Sequence, residues 1–312
     1  MIEIHEVTKR YGSTVAVDRL SFEVREGEVT GFLGPNGAGK STTMRMMVGL
    51  DSPTSGRVTV DGHRYGDLRF PLRHVGALLE ARAIHPGRSA RSHLQWLADS
   101  NGIDRRRVDH VLDQVGLADV AHRRSGGFSL GMGQRLGIAT ALLGDPATLL
   151  LDEPVNGLDP EGIQWIRRLL RSLAYEGRSV LVSSHLMSEM ALTADRLIVV
   201  GKGRLIAEGT VDEVVQTSST RHVRVEAAEP HVLRRILCDR GAHVGTEADG
   251  ALTVTGMDAR DVGIAAGTAG ITLYELSPHH ASLEEAFMEL TRNASEYHAG
   301  GDLVGANQGA AA

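Results

Sequence analysis

The chain has 312 residues, which exceeds one typical domain and predicts two. Hydrophobic residues make up 42% of the chain and charged residues 23%, which is the composition of a globular protein with enough apolar material for a core. The net charge of -6 argues against a surface that coats nucleic acid, and the single cysteine, Cys238, excludes an internal disulfide and fits a reducing compartment.

The N-terminal segment, MIEIHEVTKR, has no apolar stretch of the kind found in signal peptides. Nowhere in the chain do about 18 apolar residues follow one another, which is the length a membrane-spanning helix needs. We therefore expect a protein that acts from the cytosol and reaches a membrane only through a partner.

A glycine-rich loop lies between a strand-like segment, EVTGFL, and a helical one, TTMRMMVGL. Its residues are Gly34, Pro35, Asn36, Gly37, Ala38, Gly39, Lys40, Ser41 and Thr42. A phosphate-binding loop has the pattern Gly, any four residues, then Gly-Lys-Ser, and lies between a strand and a helix. Backbone amides would surround the anion, Lys40 would reach the β- and γ-phosphates, and Ser41 would coordinate Mg²⁺. A chance glycine-rich turn is the competing interpretation.

Helix-forming sequence follows from about residue 85 to 145, in RSARSHLQWLADS and RRRVDHVLDQVGL. Its apolar residues recur at helical spacing, at Leu94, Leu97, Val108, Val111, Leu112 and Val115. This pattern predicts a small helical subdomain. Within it lies FSLGMGQR, which has the serine and glycines of a phosphate loop but no lysine. An ordinary start of the helix LGIATALLG explains the same residues equally well.

A buried parallel strand is predicted in ATLLLDEP, where it would carry Asp152 and Glu153 to its carboxyl end beside the phosphates. There Asp152 would hold Mg²⁺ through water, and Glu153 would orient and polarise an attacking water molecule. Alternatively, the Asp-Glu-Pro sequence merely ends a strand. The next residues, NGLD at 156–159, have the composition of an Asx-type turn before a helix opened by Pro160. A second buried strand, in VLVSSHLMSEM, precedes His185.

The sequence changes character after residue 216. The polar TSST segment predicts a linker at 217–221. From 222 to 292 the predicted order is strand, helix, two strands, helix, strand and helix, which predicts a small ferredoxin-like sheet with a terminal helix. Residues 293–312 are rich in glycine and alanine without periodicity, so we expect them to be disordered.

Taken together and in this order, the motifs resemble those of the nucleotide-binding subunits of ATP-binding cassette (ABC) transporters, over nearly all of residues 1–215. The phosphate loop and the LLLDEP strand occur in other P-loop ATPases, whereas FSLGMGQR is similar to the family's Leu-Ser-Gly-Gly-Gln signature. Ser129 and Gly131 match that signature, and Leu130 and Met132 depart from it. The Ser-Leu-Gly-Met form resembles ABC subunits of the antibiotic-resistance and multidrug-export type.

This resemblance implies an α/β fold for residues 1–216, with a parallel-sheet core, an antiparallel β subdomain and a helical subdomain. The accessory domain at 222–292 would support a dimer or regulate it. ATP and Mg²⁺ are the implied cofactors, and the implied partners are a second copy of the chain and a separate membrane permease. In the head-to-tail dimer of this family, Ser129 would face the γ-phosphate held by the other chain, which would explain the missing lysine. The implied function is export of a drug or other hydrophobic compound; the alternative is a soluble ABC ATPase acting on ribosomes or DNA.

Four further residues match positions of the family. Tyr11 matches the aromatic residue that stacks on adenine, His185 the histidine that contacts the γ-phosphate, and Asp159 a loop that reaches across the dimer. Glu80 stands where most of the family carries a glutamine that senses Mg²⁺ and faces the membrane subunit. We interpret Glu80 as a mark of the drug-export subtype, with a simple strand end as the alternative.

Overall fold

The computed structural model describes residues 1–80, 84–217, 222–279 and 282–292. The described residues divide into two compact units, one of residues 1–209 with 291–292 and the other within Thr210–Leu290. Among the described residues, no helix combines the length and the apolar character needed to cross a membrane.

Two sheets form the strand framework of the first unit. Its strands are β1 (Ile2–Tyr11), β2 (Thr14–Val24), β3 (Val29–Leu33), β4 (Ser55–Val60), β5 (Val75–Leu78), β6 (Thr148–Asp152), β7 (Ser179–Ser183), β8 (Arg196–Gly201) and β9 (Arg204–Thr210). A three-stranded antiparallel sheet has the order β2-β1-β4, and a six-stranded sheet has the order β5-β6-β7-β3-β8-β9. Strands β5, β6, β7, β3 and β8 pair in parallel, as predicted for the core.

The parallel strands are apolar along almost their whole length because helices cover both faces of such a sheet. All residues of β3 and β7 are buried, and so are the first four residues of β6. The antiparallel sheet shares this core: the ring of Phe22 in β2 lies 5.4 Å from the ring of Phe32 in β3. The predicted antiparallel β subdomain is therefore packed directly on the strand that leads into the phosphate loop.

The helices of the first unit are α1 (Lys40–Met47), α2 (Ala90–Ser100), α3 (Arg106–Gln114), α4 (Leu130–Leu142), α5 (Pro160–Tyr175) and α6 (Met187–Thr193). Helices α2, α3 and α4 pack on one another and form the predicted helical subdomain. Of the six apolar positions predicted to face its core, only Leu97 is half-buried, and the other five are buried.

The second unit contains α7 (Val211–Gln216), β10 (His222–Ala227), α8 (Pro230–Asp239), β11 (His243–Thr246), β12 (Leu252–Thr255), α9 (Ala259–Thr268), β13 (Leu273–His279) and α10 (Leu283–Thr291). Its four-stranded antiparallel sheet has the order β11-β12-β10-β13, which is the ferredoxin-like order predicted from the sequence.

The boundary between the two units falls at Gly209/Thr210, so that α7 belongs to the second unit by its contacts. The sequence predicts the end of the first domain at residue 216, and the domain boundaries stay a prediction. Residues 218–221 of the predicted linker and the predicted disordered tail at 293–312 lie outside the described residues.

Candidate functional site

The carboxyl ends of adjacent parallel strands gather the polar residues predicted for the site. Strands β6, β7 and β3 are neighbours, and Asp152 at the end of β6 is paired in register with Ser183 at the end of β7. The loop at 34–42 leaves the end of β3, and Glu153 and His185 follow β6 and β7. One edge of the sheet therefore holds all of these groups, as expected for parallel strands that end together.

Two glycines of the 34–42 loop are required by close approach of other backbone. A Cβ atom on Gly34 would lie 2.5 Å from the carbonyl oxygen of Val200, and one on Gly39 would lie 2.5 Å from that of Ala16. Gly39 is also the residue before α1, with φ of 95°, a conformation that glycine adopts at no steric cost. The loop is thus held tightly against β2 and β8.

Lys40 is the first residue of α1, and its ammonium group lies against the loop that precedes the helix. Its ammonium group donates hydrogen bonds to the carbonyl oxygens of Gly34, at 2.6 Å, and Pro35, at 3.3 Å. Burial lowers the pKa of Lys40, and the nearby carboxylates of Glu153 and Asp152 partly oppose that shift. Because the positive end of the α1 dipole also points here and the first turn of α1 has no acidic residue, the loop is suited to bind an anion.

The carboxylate of Asp152 is fixed by two hydroxyl groups. Ser41 Oγ donates to Asp152 Oδ2 at 2.8 Å, and Ser183 Oγ donates to Asp152 Oδ1. A carboxylate at the end of β6 and a hydroxyl from the first turn of α1 thus converge beside the phosphate loop. Oxygen donors of this kind are the ligands that Mg²⁺ prefers, so the residues fit a magnesium ion bound together with a phosphate.

Glu153 is held at its backbone and at its side chain. Its N–H donates to the carbonyl oxygen and the hydroxyl of Ser183, at 3.2 and 3.0 Å, and its carbonyl oxygen accepts from Gln134 Nε2 at 3.1 Å. The carboxylate Oε2 lies 2.7 Å from Nδ1 of the exposed His185. The structure therefore joins the two residues predicted to be catalytic into one carboxylate–imidazole pair.

Tyr11 ends β1 and contacts Asp51, in the segment that follows α1. Its hydroxyl donates to Asp51 Oδ2 at 3.1 Å, and the ammonium of Lys9 lies 4.9 Å from the centre of its ring. Partial burial and the hydrogen bond with Asp51 raise the pKa of the phenol. The residue remains 48% exposed, which leaves surface available to a ligand.

Glu80 follows β5, the strand beside β6 in the sheet. Leu78, the last residue of β5, is paired with Leu151, the residue before Asp152. Glu80 therefore lies at the same edge of the sheet as Asp152 and Glu153. Its side chain is exposed. The residues after it, 81–83, lie outside the described residues.

The FSLGMGQR segment forms the start of α4. Ser129 is the residue before the helix, and its hydroxyl accepts a hydrogen bond from the N–H of Met132 at 3.2 Å. A Cβ on Gly131 would lie 2.9 Å from the carbonyl oxygen of Gly157, and one on Gly157 would lie 2.3 Å from Cγ of Leu130. The two segments predicted to act across a dimer are thus packed against each other within one chain.

Asp159 precedes α5, which begins at Pro160. Its carboxylate accepts a hydrogen bond from the N–H of Gly162 at 2.8 Å. Asp159 and Ser129 are therefore both helix caps, as the simpler interpretations of NGLD and FSLGMGQR predicted. Capping satisfies local amides and does not exclude a role across a dimer, since each side chain has further acceptor capacity.

Sequence reasoning missed two residues of the site. Ser183 contacts both Asp152 and Glu153, and its place at the carboxyl end of a buried strand could have marked it. Gln134 gives no such signal, because it sits in a helical pattern and only the fold brings it to Glu153.

Residues 17–156 match the family described as ABC transporter, and residues 221–284 match a domain of unknown function, DUF8746. The chain is 44% identical to the ABC transporter ATP-binding protein YhcH of Bacillus subtilis, over 72% of this chain and 75% of that protein. It is 42% identical to the bacitracin transport ATP-binding protein BcrA of Bacillus licheniformis, over 69% of this chain and 71% of the relative. It is 37% identical to the lantibiotic transport ATP-binding protein SrtF of Streptococcus pyogenes, over 68% of this chain and 92% of that protein.

Solved structures agree with these relatives. The ATP-binding subunit of an ABC transporter has a TM-score of 0.65 at 27% identity, over 70% of this chain and 92% of the other. A dimeric ATP-binding cassette in a post-hydrolysis state, bound to ADP and Pi, has a TM-score of 0.63 at 26% identity. The match covers 67% of this chain and 98% of the other. With the phosphate loop and the carboxylate pair at one sheet edge, these similarities show that the chain belongs to the ATP-binding proteins of ABC transporters and is an ATPase.

Proposed function

We propose that this chain hydrolyses ATP in a homodimer and thereby energises a separate membrane permease that exports an antibiotic or a similar hydrophobic compound. The observation that carries the proposal is the connected set at the sheet edge. Lys40 lies in the phosphate loop, Ser41 and Asp152 are joined by a hydrogen bond, and Glu153 is paired with His185. Such a set provides phosphate binding, metal ligation and proton acceptance side by side.

In this proposal the amides of the 34–42 loop and the ammonium of Lys40 bind the β- and γ-phosphates. Ser41, Asp152 and Glu80 would hold Mg²⁺, and the cation would neutralise charge that develops on the phosphate oxygens. Tyr11 offers its ring to the adenine.

Hydrolysis then needs a proton acceptor for the attacking water. The water oxygen forms a bond to the γ-phosphorus while the bond from that phosphorus to the bridging oxygen of ADP breaks. Glu153 would accept the proton that the water releases, and His185 would hold the carboxylate through its hydrogen bond and contact the γ-phosphate with the rest of its ring.

A second copy of the chain would complete each site from the side opposite to Lys40. The N-terminal end of α4 has no acidic residue in its first turn, so its dipole favours an anion. An open cavity of about 400 Å³ borders Ser129 and Leu130, which supports access from outside the chain. Ser129, Gly131 and Asp159 would contact the partner's nucleotide or phosphate loop. The existence of dimeric cassettes among the structural neighbours supports this arrangement.

The names of two relatives support export as the task of this ATPase, since they are ATP-binding proteins of bacitracin and lantibiotic transport. We further propose that residues 1–216 form the nucleotide-binding domain at the inner face of the membrane, and that residues 222–292 support or regulate the dimer. A soluble ABC ATPase acting on ribosomes or DNA is disfavoured by the net charge of -6.

A mixing experiment tests the composite site. Ser129→Arg should block the partner's γ-phosphate position by its bulk, and Lys40→Ala should weaken the phosphate loop of its own chain. A mixture of the two variants should restore part of the ATP-driven dimerisation, because one of the two sites in the mixed dimer combines an intact Lys40 with an intact Ser129. Light scattering would measure the dimer, with each variant alone as the control. A monomer that hydrolyses ATP at full rate, independent of protein concentration, would contradict the proposal.

Transport itself requires the permease. We expect the chain to co-purify with a membrane protein of about six apolar spans encoded by a neighbouring gene. Inverted vesicles that contain both proteins should accumulate a bacitracin-like peptide only with MgATP. ATP hydrolysis that ribosomes or DNA stimulate, without any uptake by such vesicles, would favour the soluble alternative.

A further inference from the structure

The backbone of Glu153 adopts a conformation that residues other than glycine rarely populate. Its φ angle is 50°, in the left-handed region. A non-glycine residue persists in this region only where its surroundings hold it, and such residues cluster at functional sites. The contacts on both sides of Glu153 therefore decide where its carboxylate points.

On its amide side Glu153 is held by β7. The N–H donates to both oxygen atoms of Ser183, as described above. On its carbonyl side it is held from the helical subdomain, because Gln134 Nε2 donates to the carbonyl oxygen at 3.1 Å. The backbone of one residue is thus fixed from two different elements, and Oε2 remains 2.7 Å from His185.

Gln134 lies in the interior. It is 3% exposed, and the other buried residues of α4 are Leu136, Gly137, Ile138, Ala139, Ala141 and Leu142. A buried amide loses its hydrogen bonds to water, so it is tolerated only where partners replace them. A residue that served packing alone at this position would be apolar. The amide of Gln134 instead meets the backbone of the residue that carries the proton acceptor.

We propose that Gln134 is a positioning residue that keeps Glu153 in its left-handed conformation and so aims the carboxylate for hydrolysis. The inference rests on the proposed role of Glu153 as proton acceptor. Gln134 does not touch the nucleotide or the water. It acts through the peptide group after Glu153, and its loss leaves that carbonyl without its donor and the conformation less restrained.

Gln134→Met tests the inference in the full-length chain, because methionine has similar length and no donor. We expect kcat at saturating MgATP to fall between about ten- and a hundredfold, while the KM for ATP and the Kd for a fluorescent ATP analogue stay within about twofold. Gln134→Glu, which presents an acceptor to the carbonyl oxygen in the same volume, should lower kcat at least as far, and serves if the methionine variant does not fold.

The matched control is Thr140→Val, on the same helix. It removes the hydrogen bond from Thr140 Oγ1 to the carbonyl oxygen of Leu136, at 3.0 Å, without touching Glu153. Both substitutions cost stability, but only the change at Gln134 should lower kcat. Equal kcat losses in both variants, or a Gln134→Met variant that loses ATP affinity with normal kcat, would overturn the positioning role.

A double-mutant cycle separates this inference from the function on which it rests. If Gln134 acts only through Glu153, adding Gln134→Met to Glu153→Gln should not slow the residual hydrolysis further. A Glu153→Gln chain with normal turnover would remove the proton acceptor itself. A slow Glu153→Gln chain together with a normal Gln134→Met chain would leave that role intact and reject only the positioning by Gln134.

Discussion

Two cations of this chain lie in opposite electrostatic surroundings. The ammonium of Lys40 rests on the carbonyl oxygens of Gly34 and Pro35, and burial lowers its pKa. Across the residues that the structure describes, no carboxylate forms an ion pair with it. Arg224, on β10 of the second unit, instead contacts a ring of carboxylates from Glu226, Glu247, Asp249 and Glu275. Its pKa is raised, first by the hydrogen bond with Asp249.

The difference shows how the surroundings decide what a charge can do. Neutral carbonyl partners orient Lys40, and the carboxylates of Glu153 and Asp152 act on it through space without an ion pair, so an incoming polyanion can still gain that interaction. Arg224 is surrounded by an excess of negative charge, and each of its three guanidinium nitrogens contacts a carboxylate of its own unit. We infer that the first cation serves ligand binding and the second holds a sheet together.

Replacing Glu153, the proposed proton acceptor, should give the largest loss of ATP hydrolysis. Glu153→Gln should lower kcat by about a hundredfold to ten-thousandfold, because an amide does not take up the proton of the attacking water. MgATP should still bind, and an ATP-bound dimer should accumulate in size-exclusion chromatography. Glu161→Gln, in the first turn of α5, is the matched control and should hydrolyse ATP normally. Normal turnover of the Glu153→Gln variant would contradict the assignment.

Replacing Lys40, the cation without an ion-pair partner, should lower the affinity for ATP. Lys40→Ala should weaken binding of a fluorescent ATP analogue by about ten- to a hundredfold, since a charge-assisted contact with the phosphates is lost. Arg224→Ala removes a cation of the other kind and should leave the affinity unchanged. If the two alanine variants lose ATP affinity equally, Lys40 and Arg224 do not differ in ligand binding as their surroundings predict.

Much of the fold could be predicted because short local patterns determine it. The apolar runs of β3, β6 and β7 indicate parallel strands, and parallel strands that end together bring the phosphate loop to Asp152. In the second unit, alternating strands and helical segments of suitable length predicted the ferredoxin-like order, which the sheet confirms.

The contacts that adjust the site could not be predicted in the same way. Gln134 and Glu153 are 19 residues apart, and a glutamine within a helical pattern does not reveal which backbone group it meets. In the sequence, Leu130 likewise stands out only as a departure from the signature. Its contact with Gly157 depends on how α4 and the loop after β6 approach each other, which is a property of tertiary packing.

The apolar contact between Gly157 and Leu130 in the first unit should give a smaller effect, on dimerisation. Alanine at Gly157 would place a Cβ 2.3 Å from Cγ of Leu130 at a φ of 77°. We expect Gly157→Ala to raise, by several-fold, the ATP concentration for half-maximal dimerisation of a Glu153→Gln chain, and Leu130→Gly to restore part of the loss by removing the clash. The left-handed strain, about 1–2 kcal/mol, would remain.

Gly177→Ala is the control for that strain, because Gly177 has a φ of 93° and open space around its Cβ position. It should destabilise the chain without changing ATP-driven dimerisation. Light scattering across an ATP titration measures the dimer in the Glu153→Gln chain and in the same chain with each of the changes described at Gly157, Leu130 and Gly177. Equal effects of alanine at Gly157 and Gly177 would mean that the Leu130 contact is irrelevant to dimerisation.

The smallest effect should come from Arg224 itself, and it should depend on pH. The hydrogen bond with Arg224 holds the pKa of Asp249 below its ordinary 3.8, so the pair stabilises the second unit at pH values above the unfolded-state pKa. That contribution is lost as the pH falls through the lower, folded-state pKa. Arg224→Ala should therefore lower the Tm most near neutral pH, where four carboxylates repel one another, and the difference from the parent should vanish in acid. Arg105→Ala, which leaves a single partner, Asp99, should lower the Tm less at neutral pH. A loss of Tm that grows on acidification would show that the ring of carboxylates does not rely on Arg224.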